Sequence, residues 1–248
     1  MSTRATDPSG SSTWFNWNQF NPIFAAAGAI VPPYYLFVVK SAHQQGKAAP
    51  SMTMREVLMG GVKAAPTIGT IVGTQTIVQS FVEKALAKAR KNEEGQPPSF
   101  WTMFGSSAFV GGVSAPLLAI FNGQTMGLSP MQALSALSAK QVGAIVTRET
   151  SFLFSLRVSE PVSQELKQVA GDTKAVEYVS AALSGAIGSA VGHPADTALT
   201  LWQRGIKVVS LPQLMKGAVP KSAGVAAFSV GYKALSDLLA ASQQRLKE

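Results

Sequence analysis

No cysteine occurs in this 248-residue chain, which excludes a disulfide framework and any thiolate metal site. Histidine is nearly as scarce. His43 and His193 stand far apart with no ligand-like spacing, so no metal is expected. Charge is thin as well, at 14% of residues against about 25% in ordinary soluble domains. The chain has no evident nucleophile–base set and no phosphate-cradling glycine loop, so neither an enzyme nor a bound cofactor is expected. Acids are the scarcer sign, and the net charge is +8. No basic cluster interleaves with aromatics, so nucleic acid is a poor explanation for that charge. The Lys and Arg residues fall at helix ends and in loops, where lipid headgroups or anionic solutes account for them better.

What the chain does have is long uncharged stretches. Pro8–Val39, Ala64–Val82, Gly95–Ala139 and Tyr178–Ala195 contain no charged side chain. A membrane-crossing helix needs roughly 20 mostly apolar residues, and the stretches together suggest a bundle of about six crossings. Gly, Ser and Thr dilute the apolar residues, which suits helices that approach one another closely in lipid. The opening segment is not a charged start followed by a short apolar run, nor is it Arg-rich. Any organelle targeting is therefore expected to be internal. Trp14, Phe15, Trp17 and Phe20 read as an interfacial anchor or as a docking segment for a partner.

Periodicity and breakers divide the chain into an N-terminal extension, 1–20, and three similar parts, 21–94, 95–170 and 171–248, within one membrane domain. Each part is expected to hold a long helix with an internal proline, a short surface helix and a second long helix. The expected long helices are 21–44, 61–90, 99–126, 140–169, 173–203 and 218–241. The short pieces are 52–58, 129–137 and 211–216. Asp172 is a plausible N-cap for the fifth long helix. Pro33, Pro116 and Pro194 lie 83 and 78 residues apart, the kind of fixed period that signals internal repetition. A kink is expected at each, because proline removes a backbone donor and clashes with the preceding turn.

The clearest local pattern runs Gly185-Ala-Ile-Gly188-Ser-Ala-Val-Gly192-His-Pro194-Ala-Asp196 and ends at Trp202-Gln203. Ser184, Gly188 and Gly192 are four apart and form one small-residue face for helix packing. Asp196 is an acid at membrane depth, expected to face the bundle interior. The pattern continues with Leu214-Met215-Lys216-Gly217. It resembles the third repeat of the mitochondrial carrier family. That resemblance implies six transmembrane helices in three pseudo-repeats, an all-α fold, and a home in the mitochondrial inner membrane among its lipids, cardiolipin included.

The family's charged gates are mostly missing. Counting from Pro33, the acid and base positions are Tyr35 and Val38, with Lys40 at a later basic position. Counting from Pro116 they are Leu118 and Phe121. Gln203 matches the family's glutamine brace, and Gln124 does so if the register starts at Ala115. At the other end, the even-helix elements Val82-Glu83 and Ser159-Glu160 keep the acid and lose the base, and in Tyr232-Lys233-Ala-Leu-Ser236 the acid has become a lysine. Arg148 and Glu149 resemble a mid-cavity element of many carriers, and Gln75, Gln141 and Lys63 are candidates to face inwards with them. His193 is placed to bond Asp196. Lys40, Lys140, Arg157 and Lys221 are expected to snorkel to an interface.

Two functions follow. One is a non-transporting accessory subunit of a larger inner-membrane assembly, such as a respiratory complex. The other is a working solute carrier, with an anion handled by Arg148 and the lysines. The lost gate charges, the shortness of the chain and the aromatic N-terminal segment favour the first.

Overall fold

A computed structural model describes residues 20–89, 99–124, 129–208 and 210–245. The aromatic N-terminal segment before Phe20 lies outside them. Among the described residues the regular structure is helical throughout. Two helices are long and apolar enough to cross a membrane, over Met54–Leu86 and Phe100–Ile120. The bent pair Asn21–Ala29 and Tyr34–Gln44 makes a third if counted as one span. This is compatible with a membrane protein.

In chain order the helices are α1 (Asn21–Ala29), α2 (Tyr34–Gln44), α3 (Met54–Ala89), α4 (Phe100–Gln124), α5 (Pro130–Ser135), α6 (Ala139–Ala170), α7 (Lys174–Val191), α8 (His193–Gln203), α9 (Leu211–Leu214) and α10 (Ala218–Arg245). They close into a ring. α1 packs on α3, α3 on α4, α4 on α6, α6 on α7, α7 on α10, and α10 returns to α1. Paired side-chain amides of Asn21 and Gln243 join the two ends of the circuit, at 3.1 and 3.0 Å.

The expected kinks occur at two of the three prolines. α1 and α2 meet at 68° across Val31-Pro32-Pro33. α7 gives way to α8 at Gly192, with Pro194 in the first turn of the new helix. Pro116 instead sits inside an unbroken α4. The bent site carries two consecutive prolines, which remove two backbone donors, and a residue before proline is pushed out of the helical region. Pro116 is single and removes only one, as does Pro194, but Pro194 follows Gly192, where α7 ends and α8 begins.

Two expected boundaries are corrected. The short piece 52–58 and the long helix from 61 are one continuous α3. Gly60 and Gly61 do not break it. A Cβ on Gly61 would lie 2.8 Å from the Val31 Cα, so that glycine serves close approach to the bend between α1 and α2. The N-cap of α7 is Thr173, whose hydroxyl accepts from the Val176 N–H. Asp172 is exposed and pairs with Lys167 at 2.8 Å.

The ends of α2 and α8 match closely. α2 and α8 each have 11 residues. Each ends on a glutamine, Gln44 or Gln203, followed two residues later by a left-handed glycine, Gly46 (φ +70°) or Gly205 (φ +69°). The closing bonds match, Lys47 N–H to Ala42 O and Ile206 N–H to Leu201 O, both 2.9 Å, as in a Schellman cap. Aligned this way, Phe37 stands at the position of Asp196 and Lys40 at that of Leu199. Gln124, the last described residue of α4, lies 80 and 79 residues from Gln44 and Gln203. That spacing is more even than the proline spacing.

The small-residue face packs α7 against α6. A side chain on Gly188 would collide with Ser155, and one on Gly192 would lie 3.1 Å from the Ser151 Cβ. Ser184 is buried on the same face. On the opposite side of α7, Val179, Leu183, Ile187 and Val191 are exposed. Gly188→Leu is expected to destabilise the fold by about 1–3 kcal/mol or more through overpacking, whereas Ile187→Leu should be near neutral. Thermal unfolding of the two purified variants checks this.

Candidate functional site

Asp196 sits in the first turn of α8, just after the break at Gly192. The residue is 1% exposed. An isolated carboxylate so buried would cost far more than the fold could supply, so it must be paired. Its partners come from three other helices. Lys40 Nζ of α2 lies 2.6 Å away, Arg148 Nη1 of α6 at 3.0 Å and Lys221 Nζ of α10 at 3.4 Å. Gln44 of α2 adds a side-chain N–H bond of 2.9 Å and donates equally to the Thr197 hydroxyl.

Arg148 extends the cluster. Its Nε donates to Glu149 at 2.7 Å, and Gln75 of α3 donates to the other oxygen of Glu149 at 3.0 Å. Two carboxylates, three cations and two amides therefore form one network across α2, α3, α6, α8 and α10. Above it lies a cavity of about 590 Å³ lined by both ends of that network.

The structure brings together most of the residues singled out in the sequence. Lys40, Asp196, Arg148, Glu149 and Gln75 share the network. Gly217 (φ +82°) supports it from behind, since a Cβ there would lie 2.8 Å from the Lys40 carbonyl. Gln203 donates to the Ala119 carbonyl at 3.3 Å and accepts from Asn122, bracing α8 on α4. Pro33 is the N-cap of α2 and Pro116 sits within α4.

Others do not join. Gln141 is a capping residue whose side chain accepts from the Ser138 N–H at 3.1 Å. Lys63 is exposed. His193 bonds the Lys216 carbonyl at 2.9 Å and the Thr197 hydroxyl at 3.2 Å rather than Asp196. The Lys216 side chain is exposed, and the Gln124 and Arg157 side chains lie outside the described ones.

Snorkelling fails for two of the lysines. Lys40 and Lys221 are 9% and 8% exposed, because Asp196 offers them a partner that bulk water would otherwise supply. Lys140 does stay exposed, its Nζ 5.2 Å from the Trp202 ring centroid. Gln44, Thr197 and Asn122 were missed in the sequence. The usable signal was helical spacing: Gln44 is four residues after Lys40, and Thr197 four after His193, so each falls on an already marked face.

A second charged network sits at the other end of the bundle. Glu177 in the first turn of α7 meets Lys167 at 2.8 Å, Lys174 at 3.1 Å and Lys233 at 3.3 Å. Lys233 also reaches Asp237 at 2.8 Å. Lys233 thus finds its acids on α7 and on the next turn of α10. Hydrogen bonds from Lys167 and then Lys174 hold the Glu177 carboxyl down at about 2. Between α3 and α4 the polar contact is neutral, with Gln79 donating to Ser107 at 3.0 Å.

No protein-family model matches the chain, and no curated protein matches it in sequence.

Two outcomes are expected. Asp196→Leu strands three buried cations and should cost about 3–5 kcal/mol, the usual penalty for removing one partner of a buried pair. Denaturant titration of that variant measures it. Glu177 has a lowered folded pKa, so its contribution is complete above its unfolded value, near 4.5, and is lost as pH falls through about 2. Thermal midpoints should therefore drop across that window in the native protein, and drop less in Glu177→Gln.

Proposed function

We propose that this chain is a multi-pass protein of the mitochondrial inner membrane with a carrier-like six-crossing architecture, serving as a non-transporting accessory subunit of a larger membrane assembly such as a respiratory complex. The closed ring of helices, the matched ends of α2 and α8 and the evenly spaced glutamines support the three-repeat reading. Exposed apolar stripes on α4 (Phe109, Val113, Leu117) and α7 support a lipid-facing exterior.

The observation that carries the non-transporting reading is the asymmetry of the two ion networks. A reversible gate needs interactions in each state that the other lacks, shared around the ring. Here one acid, Asp196, collects all three cations at its end. Among the described side chains, the network at the other end joins α6, α7 and α10. α4 contributes no charge to either, and its polar contact with α3 is uncharged. Parting α8 from its neighbours would leave several desolvated charges unpaired at once, at about 3–5 kcal/mol for each broken pair. Such a cluster acts as a fixed weld.

A second reading, a solute carrier, is favoured by one observation: the cavity of about 590 Å³ with Arg148, Glu149 and Gln75 on its wall. Gentle extraction from the native membrane followed by a native gel separates the two. The accessory reading predicts migration with a large assembly and no substrate uptake by reconstituted liposomes. Migration as a small free species, together with uptake abolished by Arg148→Ala, would establish the carrier instead.

A further inference from the structure

The cavity beside Asp196 has more than a static weld requires. Lys40, Arg148 and Lys221 line it against Glu149 and Asp196, so three largely buried cations face two buried carboxylates, an excess of one positive charge, and exposed Lys47 at the rim adds a fourth cation. Buried excess charge calls for a counter-ion. The Oε1 atom of Gln75, a residue 1% exposed, has no hydrogen-bond partner among the described residues. Its amide nitrogen is committed to Glu149 at 3.0 Å, which holds Glu149 in place beside the buried cations.

The remaining walls are of the opposite character. Phe37, Ile68, Ile71, Val72, Phe152 and Phe228 line the space next to the charged floor. The cavity also reaches Lys47, Ala48 and Pro50, which are exposed in the loop after α2. The 68° bend carries α2 away from the line of α1. A continuous path thus joins an exposed mouth marked by Lys47 to the buried cations. Its volume falls within the roughly 300–1,000 Å³ of small-molecule sites.

We propose that this cavity binds a single-chain amphipathic anion, an acyl tail bearing a carboxylate or phosphate head. The head sits among Arg148, Lys221 and Lys40 and offsets their excess charge. The tail lies along the phenylalanine and isoleucine walls towards the mouth. This goes beyond the accessory role and holds whether or not the bundle transports anything.

The test uses the full chain in phosphatidylcholine nanodiscs and a fluorescent long-chain fatty acid as probe. Saturable binding is expected, displaced by hexadecanoate or lysophosphatidate but not by hexadecanol, acetate or inorganic phosphate. Lys221→Gln should weaken the probe by about tenfold or more, a loss of at least about 1.4 kcal/mol. Val38→Trp, at a partly buried wall position outside the core clusters, narrows the cavity without removing any member of the ion cluster, and should weaken binding while thermal stability is kept. Displacement by hexadecanoate alone supports a free fatty acid, and by lysophosphatidate alone a lipid headgroup. Equal displacement by hexadecanol overturns the proposal. So does equal displacement by inorganic phosphate, which reduces the cavity to a small-anion site. An absence of saturable binding, or binding unchanged in Val38→Trp, overturns it too. Native-gel migration and liposome uptake read other properties, so failure of the accessory reading is distinguishable from failure of this one.

Discussion

One buried carboxylate sets the terms for much of this molecule. Asp196 lies in a bundle whose helices otherwise bring few charges inward, and a charge so placed persists only if it is paired and hydrogen-bonded. The cations that meet this need come from α2, α6 and α10, which are distant in sequence. Their convergence fixes where the bend in α1–α2 must aim, where α8 must begin and how closely α7 must approach α6. The glycines at 188 and 192 and the backbone break at 192–194 are the local means to that end.

Apolar packing supplies the rest. Buried ion pairs are often no more stabilising than well-packed apolar groups. When α2 and α8 are aligned by their ends, Phe37 falls in register with Asp196 and Leu199 with Lys40, so each helix carries one charge and one apolar side chain at these two places, and Leu199 is fully buried. Among the described side chains, charge gathers on α2, α6, α8 and α10 around Asp196 and on α6, α7 and α10 around Glu177, while the α3–α4 contact is held by glutamine and serine.

Much of the architecture was legible in the chain. Uncharged runs, breakers and glycine spacing located the long helices, and the four-residue spacing of Ser184, Gly188 and Gly192 marked a packing face. Register was harder. Prolines mark where a helix can bend, and Pro116 sits in an unbroken helix. Counting from Pro33 and Pro194 sets α2 and α8 two residues off the alignment that their hydrogen-bonded ends give. The site was partly legible: Asp196 declared itself by its cost at membrane depth, and Arg148–Glu149 by being the charged pair between apolar stretches. Lys40 and Lys221 were misread because a lysine near a helix end has two ways to keep its charge, water or a buried acid. Sequence alone does not say which is nearer.

The direct test of this account is the coupling between Lys40 and Asp196, from unfolding of the native chain, Lys40→Met, Asp196→Leu and the double variant in the same detergent. The account predicts that the double variant is more stable than the sum of single losses implies, with a coupling of about 1–3 kcal/mol, since removing both charges leaves less unpaired than removing either. Strictly additive losses would mean that the two groups do not meet in the folded protein, and the central weld would have to be abandoned.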